Sequence, residues 1–368
     1  MTANGRLERA PAVETEAPAL LSDAARRAFQ LPVAAVAVAT AMLVVGLVFS
    51  LTIGPIDIGW RQVVLELVDR LPVLAADSGL TEQQEVILWQ WRMPRAVLGV
   101  LVGASLALSG ATYQGVFRNP LADPYLLGVA AGAGLGATLV IVGGVDTGWG
   151  PFDTIAGAAF VGALAGVGLT ATLGGGPGRA PATLLLAGVA VASFLTAAQT
   201  YLMQRNTDTL RQVYTWILGR LGTTGWDEVL VLAPYLAVCG VLVLAHRRHL
   251  DVLRLGDDEA ASLGVDPRRV RVILVIAASL LAAAAVSVSG LISFVGIIVP
   301  HLIRLAVGAS YRIVLPLAAI GGGAFLMLAD LAARTVASPA ELPIGVVTAF
   351  VGAPFFAIVL LTSRRALA

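Results

Sequence analysis

The stretch RMPRAVLGVLVGASLALSGATYQGVF (Arg92 to Phe117) places two arginines and a proline directly before a long apolar run. From Ala96 to Phe117 the run carries no charged residue, and about 20 apolar residues allow a helix to cross the ~30 Å hydrocarbon core of a bilayer. The whole chain is 58% hydrophobic and 13% charged, whereas about 25% of residues are charged in soluble domains. These features predict an all-α integral membrane protein.

Charge-free runs recur along the 368 residues. One of them, Val272–Pro300, is too long for a single span, and SVSG (Ser287 to Gly290) interrupts it with small residues that favour a turn. The ten predicted spans are Leu31–Ile56, Ala96–Phe117, Tyr125–Val145, Thr154–Gly178, Ala180–Gln204, Val229–Ala245, Val272–Val288, Leu291–Val307, Ile313–Ala329 and Leu342–Ser363. Residues 1–30 are polar and are predicted to be a disordered cytoplasmic tail. Residues 31–368 are predicted to form one ten-helix membrane domain.

The arginines predict the orientation, because short cytoplasmic loops carry an excess of basic residues. With ten spans, one set of loops holds most of the arginines, including Arg118 and Arg312, while the other set is mostly acidic. The basic set is therefore assigned to the cytoplasm, together with both termini. This assignment places Arg92 and Arg95 on the outer side, against the general bias.

The residue types exclude several classes of protein. All 24 basic residues are arginines, so a standard P-loop, which needs a lysine on the phosphates, is absent, and any ATP would be hydrolysed by another polypeptide. The three histidines (His246, His249 and His301) have no carboxylate or thiol at metal-ligand spacing, so we predict neither a metal site nor a catalytic residue. A proton- or sodium-coupled transporter, which needs ionisable residues within its spans, is the distant alternative.

Small residues are dense in GASLALSG (Gly103 to Gly110) and in GVAAGAGLGA (Gly128 to Ala137). Such runs let helix backbones approach closely within a membrane. The second run follows no predicted strand, so it does not indicate a dinucleotide-binding loop. Both runs are predicted to be sites of tight helix packing.

Four motifs, in order along the chain, resemble the FecCD-type permeases. They are the stretch from Arg92 to Ala137, LGDDEAASLGV (Leu255 to Val265), GLISFVGIIVPHLIRLAVG (Gly290 to Gly308) and LADLAARTVASPAELPIGVVTAFVGAPFF (Leu328 to Phe356). These permeases are the membrane subunits of ABC importers for iron–siderophore complexes, haem and vitamin B12. The resemblance covers nearly the whole chain beyond the tail and implies ten helices in the bacterial inner (cytoplasmic) membrane, with both ends inside.

The resemblance also implies a function and a set of partners. The chain would be the permease subunit of a binding-protein-dependent importer, not an enzyme, with iron(III)–siderophore as the commonest cargo of the family and haem or vitamin B12 as alternatives. Its partners would be ABC ATP-binding subunits, an extracytoplasmic substrate-binding protein, membrane lipid and a second permease subunit, identical or related, but no nucleic acid. No cofactor is expected in this chain, because the partner subunit would bind the ATP.

On the outer side, the resemblance implies that Arg92, Arg95 and Arg334 pair with glutamates of the binding protein. A guanidinium group can bind a carboxylate through two parallel hydrogen bonds. Pro94 is predicted to fix the backbone at the start of a helix. Asp330 lies four residues before Arg334, so the two could instead form an exposed pair on one helix.

On the cytoplasmic side, the segment around residues 255–265 predicts a short helix. Acidic residues favour a helix N-terminus, Gly264 favours a helix end, and Leu255, Ala260 and Leu263 are predicted to share one apolar side. The resemblance implies that this segment docks into the ATP-binding subunit and couples it to the membrane helices. The residues of this predicted coupling site are Leu255, Gly256, Asp257, Asp258, Glu259, Ala260, Leu263 and Gly264.

The resemblance further implies a gate and a pathway. The loop of residues 178–183, which contains Ala180, Pro181 and Ala182, would close the cytoplasmic mouth. These three residues stand where family members can carry hydroxyl residues, which suggests a steric gate. The last predicted span and one face of the fifth would line the pathway. The candidates on the fifth are Gln199, Met203 and Gln204.

Overall fold

The computed structural model describes residues 32–54, 56–70, 77–145, 153–176, 181–222 and 225–366, and every regular element in these ranges is a helix. The predicted tail lies outside the described residues. The α-helices are α1 (Val33–Thr52), α2 (Trp60–Asp69), α3 (Glu82–Ile87), α4 (Met93–Val116), α5 (Val129–Gly143), α6 (Thr154–Leu173), α7 (Pro181–Arg205), α8 (Leu210–Ile217), α9 (Asp227–Ala245), α10 (Arg247–Leu253), α11 (Asp257–Ser262), α12 (Pro267–Ser289), α13 (Val295–Val307), α14 (Tyr311–Thr335) and α15 (Ile344–Ala366). One π-helical turn (Leu88–Arg92) joins α3 to α4, and one 3-10 turn (Thr207–Thr209) precedes α8.

Among the described residues, seven helical segments are long and apolar enough to cross a membrane. They are Val33–Thr52, Glu82–Val116, Thr154–Leu173, Ala182–Arg205, Asp227–Ala245, Pro267–Ser289 and Tyr311–Thr335. Three shorter apolar helices, Val129–Gly143, Val295–Val307 and Ile344–Val359, occupy the positions of the other three predicted spans. The all-α membrane-protein class is therefore confirmed, whereas the count of ten crossings and the cytoplasmic termini stay predictions.

The centre of the protein is formed by α4, α12 and α14. Helix α4 packs along both α12 and α14, and most of its residues are buried. Buried polar side chains also join α4 to α12: the hydroxyl oxygens of Tyr113 and Ser279 lie 2.6 Å apart, and Ser109 donates to the carbonyl of Ala278 over 2.8 Å. In contrast, α1, α6, α7 and α9 are largely exposed, as expected for helices that face lipid or another subunit.

Glycines bring the backbones of these helices into contact. Gly103 of α4 faces Gly322 of α14, and Gly110 of α4 faces Gly296 of α13; a Cβ atom at either α4 position would lie 2.6–2.7 Å from the carbonyl carbon opposite. Gly132 of α5 meets α6 in the same way. The structure thus confirms that both small-residue runs are packing surfaces.

The helix that carries Arg92 begins earlier than predicted. Its N-terminus is a capping box, in which Thr81 accepts from the Gln84 N–H over 3.3 Å and Gln84 accepts from the Thr81 N–H over 3.0 Å. Pro94 is the second residue of α4, as predicted for a helix start, but α4 continues from the π-helical turn, so the helical path itself begins at Glu82. Pro94 has no N–H for the carbonyl of Gln90, and that carbonyl accepts from the Gly225 N–H instead, over 2.9 Å.

The predicted break between two spans after SVSG is confirmed. Helix α12 ends at Ser289, Gly290 has φ +70°, and residues 291–294 are not helical before α13 begins. Phe294 also has φ +70°, which is rare for an aromatic residue. The hydroxyl of Tyr125 both donates to the carbonyl of Ile292 (2.8 Å) and accepts from its N–H (3.1 Å), so this non-helical backbone is hydrogen-bonded inside the protein.

Candidate functional site

Two of the three predicted docking arginines share one buried carboxylate. Asp330 of α14, whose side chain is 3% exposed, accepts from the Arg95 Nη2 over 2.9 Å and lies 3.1 Å from the Arg334 Nε. Arg95 also holds Glu341 with both terminal nitrogens, at 3.1 Å and 2.9 Å. The predicted pair of Asp330 and Arg334 is therefore present, but it is not exposed as expected.

Arg92 has a different environment. Its side chain is buried, and its guanidinium donates to the carbonyls of Leu51 (2.6 Å), Thr52 (2.9 Å) and Ile56. The last carbonyls of a helix lack partners within the helix and carry partial negative charge. Arg92 therefore caps the C-terminal end of α1, and its expected position on an open surface is corrected.

Arg334 connects the two environments. Besides its pair with Asp330, it donates to the Ser50 hydroxyl over 3.0 Å and to the carbonyls of Ser50 and Ile53 over 3.4 Å. The three arginines, with Asp330 and Glu341, form an arginine network. This network joins α1, α4, α14 and the segment before α15 at one end of the molecule. Glu341 is the member of this network with the most open side chain, at 55% exposed.

The predicted coupling segment lies at the opposite end of α4. Its helix, α11, begins at Asp257 after Gly256 and ends before Gly264, which has the left-handed φ of +80° that suits glycine at a helix end. Ala260 is fully buried, whereas Leu255 and Leu263 are each 62% exposed. The prediction that the three share one side is therefore wrong: Ala260 anchors α11 inward, and the two leucines project outward.

A three-residue ionic bridge, made of Arg118, Asp257 and Arg271, fastens α11 to the membrane helices. Arg271, at the start of α12 and 4% exposed, donates to both carboxylate oxygens of Asp257, over 3.0 Å and 3.3 Å. Arg118, just after α4, pairs with the same carboxylate and donates to the carbonyl of Leu253 over 2.6 Å. Burial opposes ionisation of Asp257, but the charges of Arg271 and Arg118 outweigh it and lower the pKa of this carboxyl.

The predicted pathway residues on α7 do not share a face. Gln199 is buried and donates to the Thr138 hydroxyl of α5 over 3.0 Å, and Met203 is buried in the packing between helices. Gln204 alone of the three is exposed. The exposed face carries Ser193, Thr196 and Thr200 instead, a hydroxyl row at helical spacing within an apolar run that sequence reasoning missed.

The predicted gate is only partly described. Ala180 lies outside the described residues, Pro181 is the first residue of α7, and Ala182 is exposed near the start of that helix. The closing of the pathway by this loop stays a prediction.

The described residues contain no group of three histidine, cysteine, aspartate or glutamate side chains placed to hold a metal ion. A cavity of about 120 Å³ lies between α6, α8, α9 and α12, with Phe160, Trp216 and Tyr235 in its wall. Pockets for small organic ligands usually measure about 300–1,000 Å³. This cavity is therefore too small for a metal chelate.

Known proteins share both the sequence and the fold. The chain is 39% identical to a cobalamin import system permease protein, BtuC, of Halobacterium salinarum, over 87% of this chain and 94% of that protein. It is 42% identical to the hemin transport system permease protein HmuU of Yersinia pestis (74% and 83% covered). It is 36% identical to the Fe(3+)-citrate import system permease protein YfmD of Bacillus subtilis (87% and 92%).

A solved structure of a metal-chelate type ABC transporter in an inward-facing conformation superposes with a TM-score of 0.76 and 29% sequence identity, covering 88% of this chain and 97% of that one. The model of the FecCD transport family matches residues 42–362. The matched region contains the arginine network, the coupling segment and every helix from α2 to α14. The chain therefore belongs to the FecCD transport family and is the permease subunit of an ABC importer, whose ATPase activity lies in a separate subunit.

Proposed function

We propose that this chain, with a second permease subunit, forms the translocation pathway for an iron(III)–siderophore complex across the bacterial cytoplasmic membrane. The name of one relative, an Fe(3+)-citrate permease, supports a small iron(III) chelate as cargo. Haem and vitamin B12 are the alternatives; the hemin permease favours haem, and the cobalamin permease favours vitamin B12.

The observation that carries the pathway is the exposed hydroxyl row on α7. Ser193, Thr196 and Thr200 are exposed along a helix that is long and apolar enough to span the membrane. Hydroxyl side chains in a membrane are favoured where they meet another helix or water rather than lipid. This face therefore supports a water-accessible path, or a contact with the second subunit, along α7. The gate at Ala180, Pro181 and Ala182 would lie at the cytoplasmic end of the same helix.

The arginine network supports a docking role on the outer side. Arg95 and Arg334 are partly accessible and lie around a single carboxylate. Their guanidinium groups therefore suit acidic side chains of a substrate-binding protein. Arg92 contributes to this surface by holding the end of α1 in place. The docking partner is the extracytoplasmic binding protein of the same importer.

Helix α11 supports a coupling role on the cytoplasmic side. Leu255 and Leu263 offer exposed apolar surface outside the predicted spans, while Ala260 and the ionic bridge hold the helix on α4 and α12. A firmly held short helix with exposed leucines at its ends suits insertion into a groove of the ATP-binding subunit. A secondary transporter would not need such a docking helix and would not co-purify with an ATPase.

Uptake by the reconstituted importer tests this function. The chain is co-purified with its ATP-binding subunit, placed in liposomes with the binding protein, and offered labelled iron(III)–siderophore, haem and vitamin B12. We expect ATP-dependent uptake of the siderophore complex, and Leu263→Asp should abolish uptake while Leu263→Met retains it. Selective uptake of haem or vitamin B12 would overturn the iron–siderophore assignment, and uptake driven by an ion gradient without ATP would overturn the importer itself.

A further inference from the structure

Two carboxylates of very different accessibility compete for the guanidinium of Arg95. Asp330 is 3% exposed and is also held by Arg334, so it is a fixed part of the interior. Glu341 is 55% exposed and has Arg95 as its ion-pair partner. Of the two, Glu341 is the carboxylate that can leave Arg95 for solvent, and Arg95 then keeps Asp330 as its partner.

Glu341 also stands just before a helix. The next residue, Leu342, donates its N–H to the carbonyl of Ala333 over 2.9 Å, and Gly345, in the first turn of α15, donates to the carbonyl of Leu218 over 3.0 Å. The pair of Arg95 and Glu341 therefore fastens the lead-in of α15, residues 341–343, to α4. A change at this pair acts on the segment directly before α15.

The guanidinium of Arg95 is already occupied by carboxylates of the same chain. Its Nε donates to Asp330, its Nη1 donates to Glu341, and its Nη2 donates to both. A third carboxylate brought close to this pair would be repelled by the two resident carboxylates. Binding of an acidic side chain at Arg95 is therefore favoured when one of the resident carboxylates moves away.

We propose that the carboxylate of Glu341 occupies the position on Arg95 that a carboxylate of the docking partner takes on binding. When the partner docks, its carboxylate replaces that of Glu341, and the lead-in of α15 is released from α4. The inference rests on the proposed docking role of Arg95. It adds a specific consequence: Glu341 weakens docking while holding α15, so that arrival of an acidic partner on the outer surface is transmitted to a helix of the pathway.

A double-mutant cycle on the complete importer in lipid nanodiscs tests the exchange. The probe is the substrate-binding protein of the same importer, and its Kd is measured at low ionic strength for wild type, Glu341→Gln, Arg95→Gln and the double variant. Glu341→Gln should tighten docking about two- to fivefold, the range that exposed ion pairs provide. The gain should vanish in the Arg95→Gln background. Glu82→Gln, which removes an exposed outer carboxylate outside this cluster, should leave Kd unchanged.

A labelling measurement reports the release itself. With Cys239→Ala and Leu342→Cys, the thiol at position 342 should react faster when the binding protein is added. If Arg95→Gln weakens docking but Glu341→Gln does not strengthen it, the exchange is wrong and the docking role stands. If neither substitution changes Kd, the docking role of Arg95 is wrong, and the exchange fails with it.

Discussion

Arg92 and Arg95 lie close together on one helix, yet their guanidinium groups meet different partners. Arg92 binds the uncapped carbonyls at the end of α1, whereas Arg95 binds the carboxylates of Asp330 and Glu341. One contact belongs to the fold, and the other is the candidate docking contact. Single substitutions should therefore separate the two roles.

We expect Arg92→Met to destabilise the protein and Arg95→Gln to act mainly on docking. Hydrogen bonds to charged groups contribute about 1.5–3 kcal/mol, so loss of the Arg92 contacts should lower the melting temperature measured in detergent. Arg92→Lys, which keeps the charge, should recover part of this loss. If Arg92→Met melts like the wild type while docking fails, Arg92 would be a docking residue after all.

Asp257 is the residue on which the coupling segment depends, because its carboxylate pairs with both Arg118 and Arg271. We expect Asp257→Asn to reduce the uptake per ATP hydrolysed while the ATPase remains active, because α11 is then less firmly attached to α4 and α12. Asp257→Glu should retain most of the coupling. Equal loss of uptake and of ATPase activity would indicate an assembly defect instead.

The pKa of Asp257 sets the pH range of this bridge. Its pKa is lowered in the folded protein, so the bridge contributes fully above the ordinary aspartate pKa of about 3.9 and is lost only in more acidic solution. Coupling through Asp257 should therefore be constant across neutral pH.

The sequence indicates where these residues lie but not what they contact. The unusual outer arginines, the acidic start of α11 and the Asp330–Arg334 spacing were all readable as patterns. The burial of Arg92 could not be predicted, because its partners are backbone carbonyls at the end of another helix. Every residue has such a carbonyl, so residue type does not indicate which of them bind an arginine. The bridge to Arg118 likewise depends on a contact between residues far apart in the chain.

At the scale of single helices, faces are harder to predict than positions. Successive residues on a helix are rotated by about 100°, so Gln199 and Met203 can point inward while Ser193, Thr196 and Thr200 of the same helix are exposed. Because α7 is apolar nearly all round, its sequence gives no strong amphipathic direction. The break after Ser289 was predictable, since small, turn-prone residues interrupt an overlong apolar run.

Glycine packing between helices gives a sharp test at this scale. We expect Gly110→Leu to prevent assembly of the bundle, because its side chain would meet the backbone of Gly296. Gly168→Leu is the matched control, since a Cβ atom on this helical glycine of α6 meets no atom within 4 Å. Monodisperse protein after size-exclusion chromatography is expected for the control only, and recovery of folded Gly110→Leu would contradict the close approach.

For the whole molecule, the two charged clusters mark the two ends. Helix α4 has 24 residues, which corresponds to about 36 Å, and it separates the arginine network from the ionic bridge. This separation agrees with the alternation of basic and acidic loops in the sequence. Apolar runs reveal where spans lie, but three of the helices are short, so length alone does not decide whether they cross.

Thiol labelling can decide the number of crossings. Cys239 is buried, so Cys239→Ala provides a background for single cysteines at three exposed positions: Glu82, Asp258 and Ala340. Between Glu82 and Asp258 lie five apolar helical segments, and between Asp258 and Ala340 lie three. If every segment crosses, five crossings separate Glu82 from Asp258, and three separate Asp258 from Ala340. Because both numbers are odd, Glu82 and Ala340 lie together on the outer side, opposite Asp258.

We therefore expect a membrane-impermeant maleimide to label Glu82→Cys and Ala340→Cys in intact spheroplasts, and Asp258→Cys only after the membrane is opened. The two halves of the test are independent. If Val129–Gly143 does not cross, Glu82→Cys and Asp258→Cys will react on the same side; if Val295–Val307 does not cross, Asp258→Cys and Ala340→Cys will. Either result would remove a span from the predicted ten. The first would put the arginine network and the ionic bridge on the same side of the membrane, and the second would put Arg95 and Arg334, which share the carboxylate of Asp330, on opposite sides. Each would contradict the assignment of docking and coupling to opposite sides of the membrane.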